Sequence, residues 1–471
     1  MDSDFEEKIR SSGLNESQQS AVLSCIGSRK CRHKSTVKLI WGPPGTGKTS
    51  TVGFMLQSLL RMKCRTLTCA PTNVAVLEVT ERVVKKVKAE SGKYDTYGLG
   101  DIVLFGNGER MKIDDRDELC DVFLDHRIDI LGYCFAAGTG WRDSLLSMIS
   151  LLVEPRKHHG SYLENKAVKR SIGGDSDSDD DMNKSDDDMN KSDNAKRNQG
   201  EGGSSGEASE EKDRMKALKK AIIQTSKENK KKDKVKKGKN ETEDDEKSRD
   251  DQCRVKDGRE GEKADGNLIF GEFVKKRFDF LAERLHFCMV NLYTHLPTSL
   301  ISQEVVEAMF AAIEALKSFQ KLLRGVASKE LEDFFGEGKA SKDGRFSEFR
   351  GSRMRIILLL KLLPSTFPVP PYSTDSYSDR KLIQDFFLAN ACLTFCTVSS
   401  SAKLHIKSMV PWELLVIDEA AQLKECESTI PLQLPGIRHA VLIGDERQLP
   451  AMVKSKVFEL YSYTLFPFSC L

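Results

Sequence analysis

Two short runs, far apart in the chain, carry residue types that together do phosphate chemistry. Residues 42–49 read GPPGTGKT, which satisfies the phosphate-loop pattern G-x-x-x-x-G-K-[ST] in full. Its glycines let backbone N–H groups turn inward onto phosphate oxygens. Lys48 would reach the β- and γ-phosphates, and the Thr49 hydroxyl would ligate Mg²⁺. The loop and the first turn after it, Gly42, Pro43, Pro44, Gly45, Thr46, Gly47, Lys48, Thr49 and Ser50, are the candidate nucleotide-binding residues. A chance glycine-rich turn is the competing reading, and the flanking apolar strand and helical pattern argue against it. Residues 414–422 read LLVIDEAAQ, an apolar run ending in two adjacent acids. At the carboxyl end of a buried parallel strand, Asp418 would hold Mg²⁺ directly or through water. Glu419 is the candidate base for the attacking water. Alone, such a pair reads as ordinary exposed acids after a strand; the phosphate loop gives it a partner.

These groups meet only if the elements between them fold as a parallel sheet. Val37–Trp41 is a short apolar strand leading into the loop, and a helical pattern runs through Thr49–Arg61. Cys64–Ala70 is a second strand candidate. Asn73–Lys88 places Val76, Val79, Val83 and Val87 on one helical face. Leu99–Phe105 reads as a further strand, and Leu393–Val398, Leu414–Ile417 and Ala440–Ile443 as buried ones. Strands alternating with helices imply an α/β fold with a parallel sheet. In the middle, Phe273, Val274, Phe278, Leu281 and Leu285 mark one amphipathic helix, Pro297 breaks it, and Val305, Met309, Ile313, Leu316 and Leu323 mark its antiparallel neighbour. The segment before the acidic stretch reads as a barrel-like element plus a helix over Trp141–Val153.

Composition bounds the rest. The chain has 471 residues, 73 Lys+Arg against 71 Asp+Glu, a net charge of +2, 39% hydrophobic and 31% charged residues. That length suggests roughly two or three domains, and the polarity exceeds that of an ordinary globular chain. Collagen-like, disulfide-scaffold and wholly disordered classes are excluded. Residues 172–266 hold DSDSDDDMNKSDDDMNKSDN, a Gly/Ser patch at Gly200–Gly206 and the basic run Lys230–Lys239. Such a segment buries too little apolar surface to offset its chain entropy and reads as disordered. Its tandem DDMNKSD repeat fails as a coiled coil, because methionine is the one apolar position. Ser176, Ser178, Ser185 and Ser192 sit among acids, either as phosphorylation sites or unmodified. Twelve cysteines and eight histidines form no zinc-ligand pattern, so no structural zinc is expected and the thiols read as reduced. The N-terminus MDSDFEEKIR is no signal peptide, and no apolar run nears the ~20 residues of a membrane span. A soluble protein of the nucleus or cytoplasm is expected, the basic run favouring the nucleus.

Read in chain order, the motifs resemble those of superfamily 1 helicases of the up-frameshift/senataxin group. LNESQ (Leu14–Gln18) resembles the adenine-reading Q motif, GPPGTGKT motif I, CAPTNVAV (Cys69–Val76) motif Ia, FCTVSSS (Phe395–Ser401) motif Ic, VIDEAAQ motif II and GDERQLP (Gly444–Pro450) motif III. The resemblance covers roughly residues 13–100 and 380–453. It implies a RecA-like P-loop domain, ATP and Mg²⁺ as cofactors, and single-stranded RNA or DNA as partner. Gln18 would read adenine. Gln448 would sense the γ-phosphate, joining Lys48, Asp418 and Glu419 as the catalytic set. Thr72, Asn73 and Thr397 would touch the sugar–phosphate backbone of a strand. Asn73 equally reads as a helix N-cap and Thr397 as a plain strand end.

The organisation implied is a RecA-like domain in two parts, 1–100 and 380–453. Between them lie a barrel-like/helical insertion (101–171), a disordered linker (172–266) and a helical stalk (267–379). The family's motor has two RecA-like domains, whereas this chain ends soon after motif III in a tail (454–471) containing FELYSYTLFPFSCL. A nucleic-acid-stimulated ATPase carrying one motor domain is the first expectation. A truncated form that holds nucleotide or partner proteins without turnover is the second. A transporter-type ATPase would leave Gln18 and Gln448 without a role. A monomer is expected, with the charged insertion available to protein partners. Lys230–Lys239 reads as a nuclear-import signal, a nucleic-acid tether or a solvated linker.

Overall fold

The computed structural model describes residues 7, 9–11, 13–29, 31, 33–90, 92–94, 96–172, 215–224, 268–336, 344–370, 377–405, 409–445 and 447. The chain divides into two compact units. The first comprises Met1–Trp141, Cys288–Met309 and Pro364–Leu471, the second Arg142–Phe287 and Phe310–Leu363.

The first unit is built on one sheet of β1 (Thr36–Trp41), β2 (Thr66–Ala70), β3 (Ile102–Leu104), β4 (Leu393–Thr397), β5 (Leu414–Ile417) and β6 (His439–Gly444). All pairings are parallel, in the order β1-β6-β5-β2-β4-β3. Strands β2, β4, β5 and β6 are buried at every position, which is why they read as continuous apolar runs rather than alternating ones. β1 differs because it is an edge: Val37, Leu39 and Trp41 are exposed while Ile40 is buried. Helices α1 (Glu16–Ser28), α2 (Lys48–Arg61) and α3 (Asn73–Glu90) share one core with the sheet. α2 contributes Val52, Met55, Leu56 and Leu59, and α3 Val76, Val79, Val83 and Val87, each set at helical spacing.

The barrel-like expectation for 101–171 is corrected. Among the described residues this segment holds no strand beyond β3, which joins the main sheet beside β4. Its 99–105 strand shrinks to Ile102–Leu104 after a 3₁₀ turn at Leu99–Asp101. The remainder is helical: short turns, then α4 (Leu124–Phe135), α5 (Trp141–Val153) and α6 (Pro155–Ile172). The physical reason is a spacing of 3–4 in Leu124, Ile128 and Leu131, all buried, reinforced by Arg127. The Arg127 guanidinium is fully buried and donates to the carbonyls of Leu99, Gly100, Ile102 and Asp121. Burial lowers its pKa to about 10.

The second unit holds most of α5 and α6 with parts of α7 (Phe270–His295) and α8 (Gln303–Gly325), and α9 (Gly344–Leu362). α7 and α8 run antiparallel, as their periodicity implies. Phe278 meets Phe319 with ring centroids 5.4 Å apart, Gln320 Nε2 donates to Asp279 at 2.7 Å, and Lys275 Nζ donates to the Val326 carbonyl at 2.6 Å. Gly271 is required here, since a Cβ would lie 2.0 Å from the Ser328 carbonyl oxygen. The buried residue near the start of α8 is Val306 rather than Val305. The reading of 172–266 as disordered needs one correction: residues 215–224 are helical. MKALKKAII spaces Met215, Leu218 and Ile222 on one face, and Ile223 is buried. The repeats, the Gly/Ser patch, Lys230–Lys239 and the tail lie outside the described residues. No helix among the described residues is long and apolar enough to cross a membrane.

Candidate functional site

Register decides which groups meet. Trp41 pairs with Gly444, and Ile417 with Leu442. Gly42, Asp445 and Asp418 therefore leave three neighbouring strands at the same edge, the carboxyl edge where open α/β sheets collect ligands. β2 and β4 are equally in step, with Ala70 opposite Thr397, so Thr72 and Thr397 reach that edge too.

The phosphate loop has the backbone its glycines imply. Gly45 and Gly47 have φ of +82° and +79°, a region side chains strain to occupy. A Cβ on Gly47 would also lie 2.7 Å from Gln18 Nε2. Gln18 is thus packed on the loop: its Nε2 donates to the Thr46 carbonyl at 3.0 Å. Its Oε1 accepts from the Asn15 N–H at 3.0 Å, and Asn15 Oδ1 accepts from the Gln18 N–H at 2.9 Å. This reciprocal capping box starts α1 and fastens it to the loop through the same side chain. Lys48 Nζ donates to the carbonyls of Gly42 and Pro43 at the loop mouth. Thr49 is half-buried and Ser50 exposed on the first turn of α2.

Asp418 is only 6% exposed, and its N–H donates to the Cys69 carbonyl at 2.9 Å. Burial, then the adjacent Glu419 charge, pushes its carboxyl up to about 6, while the Glu419 N–H and Lys48 act in the opposite direction. Strand register thus brings the two halves of the sequence pattern to one edge of the sheet. Glu419 adopts φ +52°, left-handed for a non-glycine residue. Such conformations store of order 1 kcal/mol or more and cluster at functional sites. The turn aims consecutive acids differently, and Gln422 Nε2 donates to Glu419 Oε2 at 3.1 Å. Gly444 closes against this turn, where a Cβ would lie 3.1 Å from the Ala421 nitrogen.

At the same edge Thr72 and Thr397 are caps. Thr72 Oγ1 accepts from the Ala75 N–H at 3.2 Å, so Thr72, not Asn73, caps α3. Asn73 is the first helical residue, and its Nδ2 donates to the Arg110 carbonyl at 3.4 Å. Thr397 is buried; its Oγ1 accepts from the Ser400 N–H at 3.2 Å and donates to Ser400 Oγ at 2.8 Å. It ends β4 and caps the turn Val398–Ser401. Gln448 lies outside the described residues. Two features escaped the sequence reading. Asp445, buried, stands between the loop and Asp418, its Oδ1 accepting from the Arg447 N–H at 3.0 Å; GDERQLP had signalled the place but not this residue. The turn Gly108–Met111 stands beside Asn73, and a strand ending near Phe105 was the available signal.

The model of the AAA domain family matches residues 13–267 and 372–456. A probable helicase of Dictyostelium discoideum is 36% identical over 100 residues, 21% of this chain and 10% of that protein. DNA-binding protein SMUBP-2 of Rattus norvegicus is 37% identical over 70 residues, 15% of this chain and 6% of that protein. Helicase sen1 of Schizosaccharomyces pombe is 36% identical over 86 residues, 18% and 5% of the two chains. The chain thus spans a tenth or less of the length of these relatives. The family match extends over more than half of the chain and includes both of its motif-bearing parts. The chain belongs to the AAA domain family, within the up-frameshift/senataxin group of superfamily 1 helicases.

Proposed function

We propose that this chain is a motor domain of an ATP-dependent helicase that acts on single-stranded RNA or DNA. The observation that carries the reading is the register that brings the Lys48 loop after Trp41 and buried Asp418 after Ile417 to the same carboxyl edge of the sheet. The pocket suits a metal-bound triphosphate: two glycines at positive φ open the loop's N–H groups, a lysine stands at its mouth, and a carboxylate is held under-solvated opposite. Mg²⁺, when bound, supplies charge neutralisation across the phosphates. Thr49 and Asp418 would hold it. Lys48 exchanges its loop carbonyls for β- and γ-phosphate oxygens. Glu419 orients the attacking water and takes its proton, Gln18 faces the base, and Gln448 and Asp445 follow the state of the γ-phosphate. Thr72, Asn73 and Thr397 position a strand through the N–H groups of the helices they begin. Relatives named as an RNA helicase and a DNA-binding protein support a nucleic-acid ligand. The basic run Lys230–Lys239 supports action in the nucleus.

The test is ATP turnover by the purified chain with and without single-stranded RNA. Turnover should rise with RNA and vanish in Lys48→Ala and Glu419→Gln, with nucleotide still bound by Glu419→Gln. Nucleotide affinity unchanged in Lys48→Ala would overturn the site. Binding with no turnover above background would reduce the chain to a nucleotide-holding module.

A further inference from the structure

α7 carries a second arrangement that the motor chemistry does not use. Arg277, Phe280 and Arg284 follow one another at helical spacing on a ridge that flanks the buried line Val274, Phe278, Leu281 and Leu285. Phe280 is 45% exposed, unusual for a large aromatic. Two guanidiniums flank its ring, Arg277 Cζ at 5.5 Å and Arg284 Cζ at 5.2 Å from the centroid. Neither arginine has a carboxylate within ion-pair reach among the described residues. Asp279 on the same helix is turned onto Gln320 and Arg324, and Glu283, next to Arg284, is exposed. Arg284 Nε and Nη2 are buried without an acceptor. Partial burial and the like charge of Arg284 hold the Arg277 guanidinium below its ordinary value. Burial and the Arg277 charge lower His158 on α6, beside Lys157. Two guanidiniums thus lie against one exposed ring.

We propose that the Arg277–Phe280–Arg284 face of the second unit is a contact for single-stranded nucleic acid, with the arginines on successive phosphates and the ring stacked on a base. Phosphates neutralise arginines without regard to sequence. An aromatic platform between them distinguishes a strand, whose bases have π-faces, from an acidic peptide, which offers charge alone. The face is separate from Thr72, Asn73 and Thr397, and it rests on the proposed function only for the class of ligand.

The experiment measures anisotropy of a labelled single-stranded oligouridine on the full chain without nucleotide, across a salt series. Arg277→Ala/Arg284→Ala should weaken binding at least tenfold at low salt. It should also flatten the slope of log affinity against log salt by about 1.4, the value for two lost single-strand phosphates. Phe280→Ala should weaken binding about fivefold to a hundredfold with little change in slope, and Phe280→Tyr should restore it. Because no nucleotide is present, failure of the nucleotide site leaves this result readable. Unchanged affinity and slope in the double variant, with an unchanged melting curve, would overturn the proposal. So would a polyglutamate competitor that needs both arginines while Phe280→Ala leaves oligouridine binding intact, since the face would then recognise acidic protein. If the double variant fails to fold, Phe280→Ala and Phe280→Tyr decide alone: equal affinity in both refutes stacking.

Discussion

The two units treat charge in opposite ways. In the first, charged side chains near the sheet are set against partners: Lys48 against loop carbonyls and Asp418, Arg127 against four backbone carbonyls. In the second, Arg277 and Arg284 both lie against Phe280, and neither is in an ion pair among the described residues. The first pattern is pre-organised, and suits one small ligand held in one geometry. The second leaves charge for a flexible polyanion that carries its own counterions to the surface and releases them. Burial makes the difference. Screening by salt is weak around a carboxylate at 6% exposure and strong around an outward arginine.

The largest expected effect breaks the first side of that contrast. Lys48→Ala should abolish measurable nucleotide binding and turnover. Next comes Glu419→Gln, which should lower turnover about 10²- to 10⁴-fold while nucleotide still binds, as read by single-turnover assay and equilibrium binding. Asp418→Asn sharpens the contrast, because it should lose Mg²⁺ dependence yet gain stability. The sign follows from a folded-state pKa raised to about 6 from 3.8. The folded chain holds this proton more tightly than the unfolded one, so the stabilisation is present at low pH and is lost as pH rises from about 4 through 6. At pH 7 the ionised carboxylate costs about 3 kcal/mol. Urea unfolding should therefore find the variant more stable by about that amount at neutral pH, with the difference closing near pH 4. The parent's affinity for Mg²⁺ should fall as pH drops below about 6. The smallest effect is Thr397→Val, which removes a cap and should cost about 0.5–2 kcal/mol in the same assay.

Most of the first unit was legible because its strands are buried on both faces. An apolar run such as Leu414–Ile417 announces itself without reference to neighbours, and that strand has the bounds its residues suggested. Residues 106–135 were not legible, for an equally physical reason. Their course is fixed by carbonyls that Arg127 collects from separated turns, and no periodicity records a hydrogen bond to a distant backbone. α5 was legible because Leu145, Met148 and Leu152 repeat at helical spacing. At the site, motif spacing pointed to Lys48 and Asp418. It did not reveal that Gln18 would fasten α1 to the loop or that Thr397 would satisfy its own turn. Those uses depend on which backbone groups are left over once helices begin.

One strand sets the size of the pocket. β6 lies between β1 and β5, so the lysine-bearing loop and the acid-bearing turn start two strand spacings apart, about 10 Å. That gap is a property of backbone pairing, indifferent to side chains. Lengthening Lys48 or Asp418 cannot close it, and a substitution that loosens His439–Gly444 would widen the mouth for both walls together, whatever residues line them.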